Sequence, residues 1–110
     1  MSAIARQQRA RAGSLAREKM RHLKKRSDLA KEFLSLREAL DKDTVSRKNL
    51  LGMKGDSVAD ELAIIETRMV NATKRLKAIQ SEDKALSERI VVIDKILEGF
   101  YQEAPKSLEN

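Results

Sequence analysis

Apolar residues recur along the second half of this chain at alternating steps of four and three residues. Between Val58 and Phe100 the pattern has thirteen positions, of which twelve are apolar. Such steps average about 3.5 residues per turn, which keeps the row on one face of a helix supercoiled around a partner. The pattern therefore predicts a coiled-coil helix. The positions are Val58, Leu62, Ile65, Met69, Ala72, Leu76, Ile79, Asp83, Leu86, Ile90, Ile93, Leu97 and Phe100.

A second helix is predicted upstream, over residues 14–51, where strong helix formers occur without a proline. Ser14 follows Gly13 and is the predicted N-cap. The same spacing is apolar here only in the middle, at Leu29, Phe33, Leu36 and Leu40. Extended towards the start of the chain, it gives Arg26, His22 and Lys19 before it reaches Leu15. A neighbouring apolar row broadens this helix face and consists of Ala16, Met20, Leu23, Ala30 and Leu34.

Residues 52–57 predict a reversal of the chain direction. Gly52 and Gly55 suit a turn, and Asp56 or Ser57 suits the N-cap of the following helix. We expect that helix to run over residues 58–101, with Pro105 preventing a long continuation. The predicted fold is all-α, a long antiparallel helical hairpin over residues 14–103. A flexible basic arm, residues 1–13, would precede it, and a polar tail, residues 104–110, would follow.

Two registers of the hairpin fit the heptad pattern. The first pairs Leu40 with Ala72 and Leu29 with Asp83, whereas the second pairs Leu40 with Ile65 and His22 with Asp83. We favour the second because it places the one polar residue of the long row opposite the one histidine of the chain. Asp83 then needs a partner or access to water, because a buried unpaired carboxylate costs several kcal/mol. It is a candidate selector of register or oligomeric state; a locally wet seam is the alternative.

A hairpin of this length is marginal against the conformational entropy lost on folding, so we expect additional helices. Two hairpins forming a homodimeric four-helix bundle, or one hairpin docked on a larger partner, would supply them. The distal part of the long row would face the basic, less apolar start of the chain. It is therefore the predicted partner or oligomer interface, which comprises Leu86, Ile90, Ile93, Leu97, Phe100 and Tyr101.

The net charge of +6 is concentrated at the start of the chain. Residues 1–26 carry nine Lys or Arg and one acid, Glu18, whereas residues 27–110 carry fourteen bases and sixteen acids. A block of like charge on an otherwise balanced chain is typical of a segment that binds a polyanion, namely nucleic acid, an anionic membrane face or an acidic protein groove; a solvated basic face is the alternative. The candidate binding residues are Arg6, Arg9, Arg11, Arg17, Lys19, Arg21, Lys24, Lys25 and Arg26.

These residues favour a non-enzymatic adaptor or regulator that binds nucleic acid through its basic segment. No aromatic residue is interleaved with the cations for base stacking, so we expect little sequence preference. The alternative is a purely protein-binding module, such as a stalk, chaperone, scaffold or inhibitor, whose basic arm contacts an acidic protein surface. Either function implies a protein partner or a homo-oligomer.

Catalysis and metal binding have little support in the sequence. The chain contains no cysteine and a single histidine, and its paired acids occupy exposed or seam positions. We expect no enzyme activity, cofactor, metal or small-molecule substrate. The sequence has no run of 18 apolar residues, so it predicts no membrane span. The lack of cysteine fits the cytoplasm.

Overall fold

The computed structural model describes residues 3–109, with side chains described for residues 3–100. It contains two helices, α1 over Ala3–Leu51 and α2 over Val58–Glu109, and no strand within the described residues. Ion pairs between the helices show that they run antiparallel: Arg47 pairs with Glu66, and farther from the turn Glu32 pairs with Arg75. The prediction of an all-α helical hairpin is confirmed.

Helix α1 begins at Ala3 and not at the predicted Ser14, so residues 3–13 are helical and do not form a separate flexible arm. Ala, Arg and Gln fill most of this segment, and all three favour helices. Gly13 inside a helix costs only about 1 kcal/mol relative to Ala, which the surrounding helix formers offset. The glycine and serine at positions 13 and 14 were therefore a misleading boundary signal.

Helix α2 continues past Tyr101, its predicted end, to Glu109. Pro105 removes one backbone N–H and disturbs one preceding turn, which can kink a helix without ending it. The predicted polar tail, residues 104–110, thus overlaps the last turns of α2. Asn110 lies outside the described residues, as do Met1 and Ser2.

The turn between the helices agrees with the sequence prediction. Helix α1 ends at Leu51 and α2 begins at Val58. Backbone hydrogen bonds close both ends, from the N–H of Met53 to the carbonyl of Leu50 and from the N–H of Val58 to the carbonyl of Gly55. Gly55 has a φ of 157°, which residues with a Cβ rarely adopt, whereas the φ of Gly52 is not positive. Only one of the two glycines is therefore required by backbone conformation.

The described residues form two compact units, of which the central unit is Asp28–Glu82. Its buried residues are Leu29, Ile65, Leu76 and Ile79. Between its helices Arg75 donates hydrogen bonds to Glu32 at 2.8 and 2.9 Å. Arg68 donates to Asp43 at 2.8 Å. This unit thus has its own apolar core and its own cross-helix ion pairs.

The terminal unit comprises residues up to Ser27 and from Asp83 onwards. Its core cluster consists of Leu15, Ile93 and Leu97, against which Ala12, Ile96 and Phe100 pack. Ile93 is fully enclosed, and Ile90 is also buried.

This burial corrects the predicted partner interface at the distal row. Ile90, Ile93 and Leu97 are covered within the chain, and Leu86 and Phe100 are half-buried. Helix α1 covers the row because it continues to Ala3 and contributes Ala12 and Leu15 to the cluster. The side chain of Tyr101 lies outside the described residues.

All thirteen positions of the long row on α2 are buried or half-buried, as its spacing predicts. The register preferred from the sequence is wrong, however, because Asp83 pairs with Arg26 and not with His22. Arg26 lies between His22 and Leu29 on α1, so the helices are shifted from the second register towards the first. Arg26 binds Asp83 through two hydrogen bonds, a bidentate geometry that a guanidinium offers a carboxylate, whereas His22 lies beside Glu18.

Candidate nucleic-acid interface

Two of the nine candidate cations hold the hairpin together. Lys19 and Arg26 occupy seam positions of α1 and are half-buried. The ammonium of Lys19 lies 2.6 Å from a carboxylate oxygen of Asp94. Arg26 donates two hydrogen bonds to Asp83, at 2.7 and 3.3 Å. These contacts remove both residues from the predicted binding surface, because their charges are already matched by α2.

The other seven candidate cations are exposed on α1 and form no ion pair with a described residue. Within this set Arg17, Arg21 and Lys24 follow one another at steps of four and three, and Lys25 lies beside them. A step of four residues advances about 6 Å along a helix, so the row presents a regular series of positive charges. We call this set the basic face; it consists of Arg6, Arg9, Arg11, Arg17, Arg21, Lys24 and Lys25.

The charge of the basic face is not balanced within its own unit. The central unit contains ten Lys or Arg and ten Asp or Glu, whereas the terminal unit contains thirteen and seven. The whole net charge of +6 therefore belongs to the terminal unit. Three of its acids, Glu18, Asp83 and Asp94, are engaged by seam or cross-helix cations. The exposed cations consequently keep their attraction for an external anion.

Glu18 is the best-connected acid of the terminal unit. Arg89 donates two hydrogen bonds to it across the helices, at 2.6 and 3.2 Å. His22, one turn along α1, lies 3.0 Å from the same carboxylate through its Nε2 atom. These hydrogen bonds, that of Arg89 above all, lower the pKa of Glu18 from 4.5 to about 2. Glu18 therefore stays ionised and cannot alter the charge of its unit by taking up a proton near neutral pH.

Asp83 is paired and partly open to water, as its position in an apolar row requires. Its side chain is 40% exposed. The hydrogen bond from Arg26 lowers the pKa of Asp83 and raises the pKa of the guanidinium. The proposed role of Asp83 in selecting the register remains a prediction. The partner of Asp83 could have been suspected from the sequence, because Arg26 belongs to the same predicted seam.

The neighbouring apolar row of α1 is exposed along its length. Met20 and Leu34 are 65% and 63% exposed, Leu23 is 39% exposed, and Ala16 and Ala30 are also exposed. The sequence suggested that this row broadens the packed face of α1. Because its members are exposed, the row does not widen the core. Its first three members, Ala16, Met20 and Leu23, lie beside the exposed cations.

The described residues contain no cluster of His, Cys, Asp or Glu suited to a metal ion. Neither helix has, within the part that the structure describes, a stretch long and apolar enough to cross a membrane.

Comparison of the chain with protein-family models, with curated proteins and with solved structures finds no match. The class that the fold defines is an all-α helical hairpin.

Proposed function

We propose that this chain is a non-enzymatic coiled-coil adaptor or regulator whose basic face binds nucleic acid without strong sequence preference. The observation that supports this function is a series of seven exposed cations on a single helix, none of them paired with a described residue. A row of Lys and Arg side chains follows a phosphate backbone and releases its condensed counterions. The compartment we propose is the cytoplasm, and the adaptor role implies a protein partner as well.

The chemistry of the basic face argues against base-specific contacts. Between Ala3 and Ser27 the chain has no Phe, Tyr or Trp, and its histidine lies half-buried beside Glu18. Stacking of bases on aromatic rings is thus not offered by this segment of α1. Contacts to phosphates fix position and carry no sequence information. Two unrelated sequences should bind about equally well.

Two acids of the terminal unit, Glu18 and Asp83, do not have the ionisation that a general acid needs. A general acid at neutral pH needs a carboxyl group with a raised pKa. Glu18 and Asp83 have lowered pKa values because arginines donate hydrogen bonds to them. Both carboxylates therefore serve to hold the hairpin helices together.

The test is a charge reversal of the central basic face, with Arg17, Arg21, Lys24 and Lys25 changed to Glu. Binding to two unrelated labelled duplexes is measured by fluorescence anisotropy over a range of salt concentrations. We expect affinity to fall by at least about tenfold. The dependence on salt should weaken by about one released counterion for each phosphate that the variant no longer neutralises.

A matched control reverses four exposed bases elsewhere on the same helix, namely Lys31, Arg37, Lys42 and Lys48. It changes the net charge by the same amount and should keep most of the affinity. Equal loss in both variants would mean that net charge alone drives binding. Undiminished binding by the first variant would assign the contact to another surface, and no binding by the unaltered chain would favour the purely protein-binding alternative.

A further inference from the structure

A short apolar row lies exposed beside the basic face of α1. Ala16, Met20 and Leu23 follow one another at steps of four and three, and all three are exposed. Met20 is 65% exposed and Leu23 is 39% exposed. We call these three residues the outer row. Each follows a seam position, Leu15, Lys19 or His22, by one residue and therefore lies about 100° around the helix from the seam.

The spacing of the outer row is that of a second helix-packing seam. Apolar residues at steps of four and three form ridges and holes that accept the side chains of another helix. A small residue, Ala16, alternates here with the larger Met20 and Leu23, which suits interdigitated packing. Exposed apolar residues that are grouped on one face mark interaction sites more often than residues that are scattered singly.

The charges on the two sides of the outer row differ. Lys19 and Arg26 border its inner side, and their charges are matched by Asp94 and Asp83. Arg17 and Lys24 border its outer side and form no ion pair with a described residue. A partner that covers the row must therefore bring acids to one flank, because buried or crowded cations without a counter-charge are costly.

We infer that the outer row is a docking site for an acidic amphipathic helix of another protein. The apolar residues of that helix pack on Met20 and Leu23, and its Glu or Asp residues pair with Arg17 and Lys24. This surface lies beyond the proposed binding of nucleic acid, which uses the basic face. Arg17 and Lys24 border both surfaces, so the helix and the nucleic acid compete for the chain.

A second copy of the chain fits the outer row less well. The equivalent row on α2 of the terminal unit has one apolar member, Val91, among Lys84, Ser87, Val91, Asp94 and Glu98. A second α1 would instead place Arg17 and Lys24 against cations of its own kind. Three apolar residues are also too narrow a face, without any aromatic side chain, for insertion into a lipid surface.

The probe is a labelled, end-capped peptide of about three heptads with Leu and Ala in a four-three row and Glu beside it. We expect the full chain to bind it, and to bind a matched peptide with Lys in place of Glu at least about tenfold more weakly. Changing Met20 and Leu23 to Gln should weaken binding of the Glu peptide by at least about tenfold, since both apolar side chains that the peptide covers are then polar. Gln keeps the helix propensity of both positions.

The control changes Val91 and Val92 to Gln, because these residues are 49% and 45% exposed on α2 of the same unit. This variant should bind the Glu peptide as the unaltered chain does. Equal loss in both variants, equal binding of the Glu and Lys peptides, or no binding at all would overturn the inference. A dimer that Met20→Gln and Leu23→Gln abolish would also overturn it, in favour of a second copy.

The two proposals can fail separately. Arg21 and Lys25 lie on the far side of α1 from the outer row, so changing both to Glu should weaken binding of nucleic acid and spare binding of the peptide. Changing Met20 and Leu23 to Gln should weaken binding of the peptide and spare binding of nucleic acid. Failure of the peptide to bind, with retained binding of nucleic acid, would overturn the docking site alone.

Discussion

Glu18 illustrates how single residues of this hairpin serve the fold through their charge. It receives hydrogen bonds from Arg89 on α2, and His22 approaches it on α1. The network crosses the seam where the seam positions of α1 between Leu15 and Leu29 are all polar, namely Lys19, His22 and Arg26. At these positions ion pairs replace apolar contacts. The terminal unit is therefore expected to be more sensitive to pH than a purely apolar seam would be.

Acid should destabilise the hairpin through Glu18. The pKa of Glu18 is 4.5 in the unfolded chain and about 2 in the folded chain, so the folded chain takes up the proton only at lower pH. The stabilisation from Glu18 is therefore complete above pH 4.5 and is lost as pH falls from 4.5 towards about 2. Urea midpoints across this range should fall less for Glu18→Gln than for the unaltered chain.

The control for this prediction is Glu88→Gln, which alters an exposed acid of the same unit. Its urea midpoints should follow those of the unaltered chain at every pH. A Glu18→Gln variant with an unchanged pH profile would show that Arg89 and His22 do not stabilise the carboxylate in the folded state.

Helix α1 contains a glycine that nothing in its surroundings requires. Gly13 lies inside the helix, and a Cβ at this position would meet only the end of the flexible Arg17 side chain, at 3.4 Å. Gly13→Ala should therefore raise the free energy of unfolding by about 0.5–1 kcal/mol, because alanine loses less backbone entropy on folding. Thermal or urea unfolding measures the change.

Gly55→Ala is the contrasting variant, because the φ of 157° strains any residue with a Cβ. It should lower the free energy of unfolding, although a Cβ there would meet only Val58, at an ordinary distance of 3.8 Å. A destabilising Gly13→Ala would mean that α1 does not continue unbroken from Ala3 to Leu51.

At the scale of elements, the parts determined by local spacing were predictable from sequence. The thirteen positions of the α2 row are buried or half-buried, and the turn falls between Leu51 and Val58, because both depend on periodicity and turn-forming residues. The start of α1 was not predictable in the same way. The Gly-Ser pair at residues 13 and 14 is a break in some contexts, and the propensities on both sides of it decide the outcome.

The pairing across the helices was harder to predict than the helices themselves. Two registers satisfy the same heptad pattern, and only the long-range ion pairs distinguish them. Lys19 and Arg26 looked like members of the basic face because the sequence does not show which acids of α2 lie opposite. Their contacts with Asp94 and Asp83 place them in the seam. The seven cations that remain are exposed, as a binding surface requires, and their ligand is still a proposal.

At the scale of the whole molecule, the chain has two units that each contain buried apolar residues and cross-helix ion pairs. Ile93 is fully enclosed in the terminal unit, and Ile79 is 3% exposed in the central unit. Local contacts of this kind permit parts of a protein to open separately. The stability of each unit should then depend mainly on its own buried residues.

Ile93→Asp tests this independence, because an unpaired carboxylate in a fully enclosed position costs several kcal/mol. Hydrogen exchange should show lost protection in residues 3–27 and 83–100, with protection retained over most of Asp28–Glu82. Ile79→Asp should show the reverse pattern. Val92→Asp is the control, since Val92 is 45% exposed, and it should change protection little. Loss of protection throughout the chain in Ile93→Asp would show that both units unfold as one cooperative body, and the basic face would then depend on the entire hairpin core.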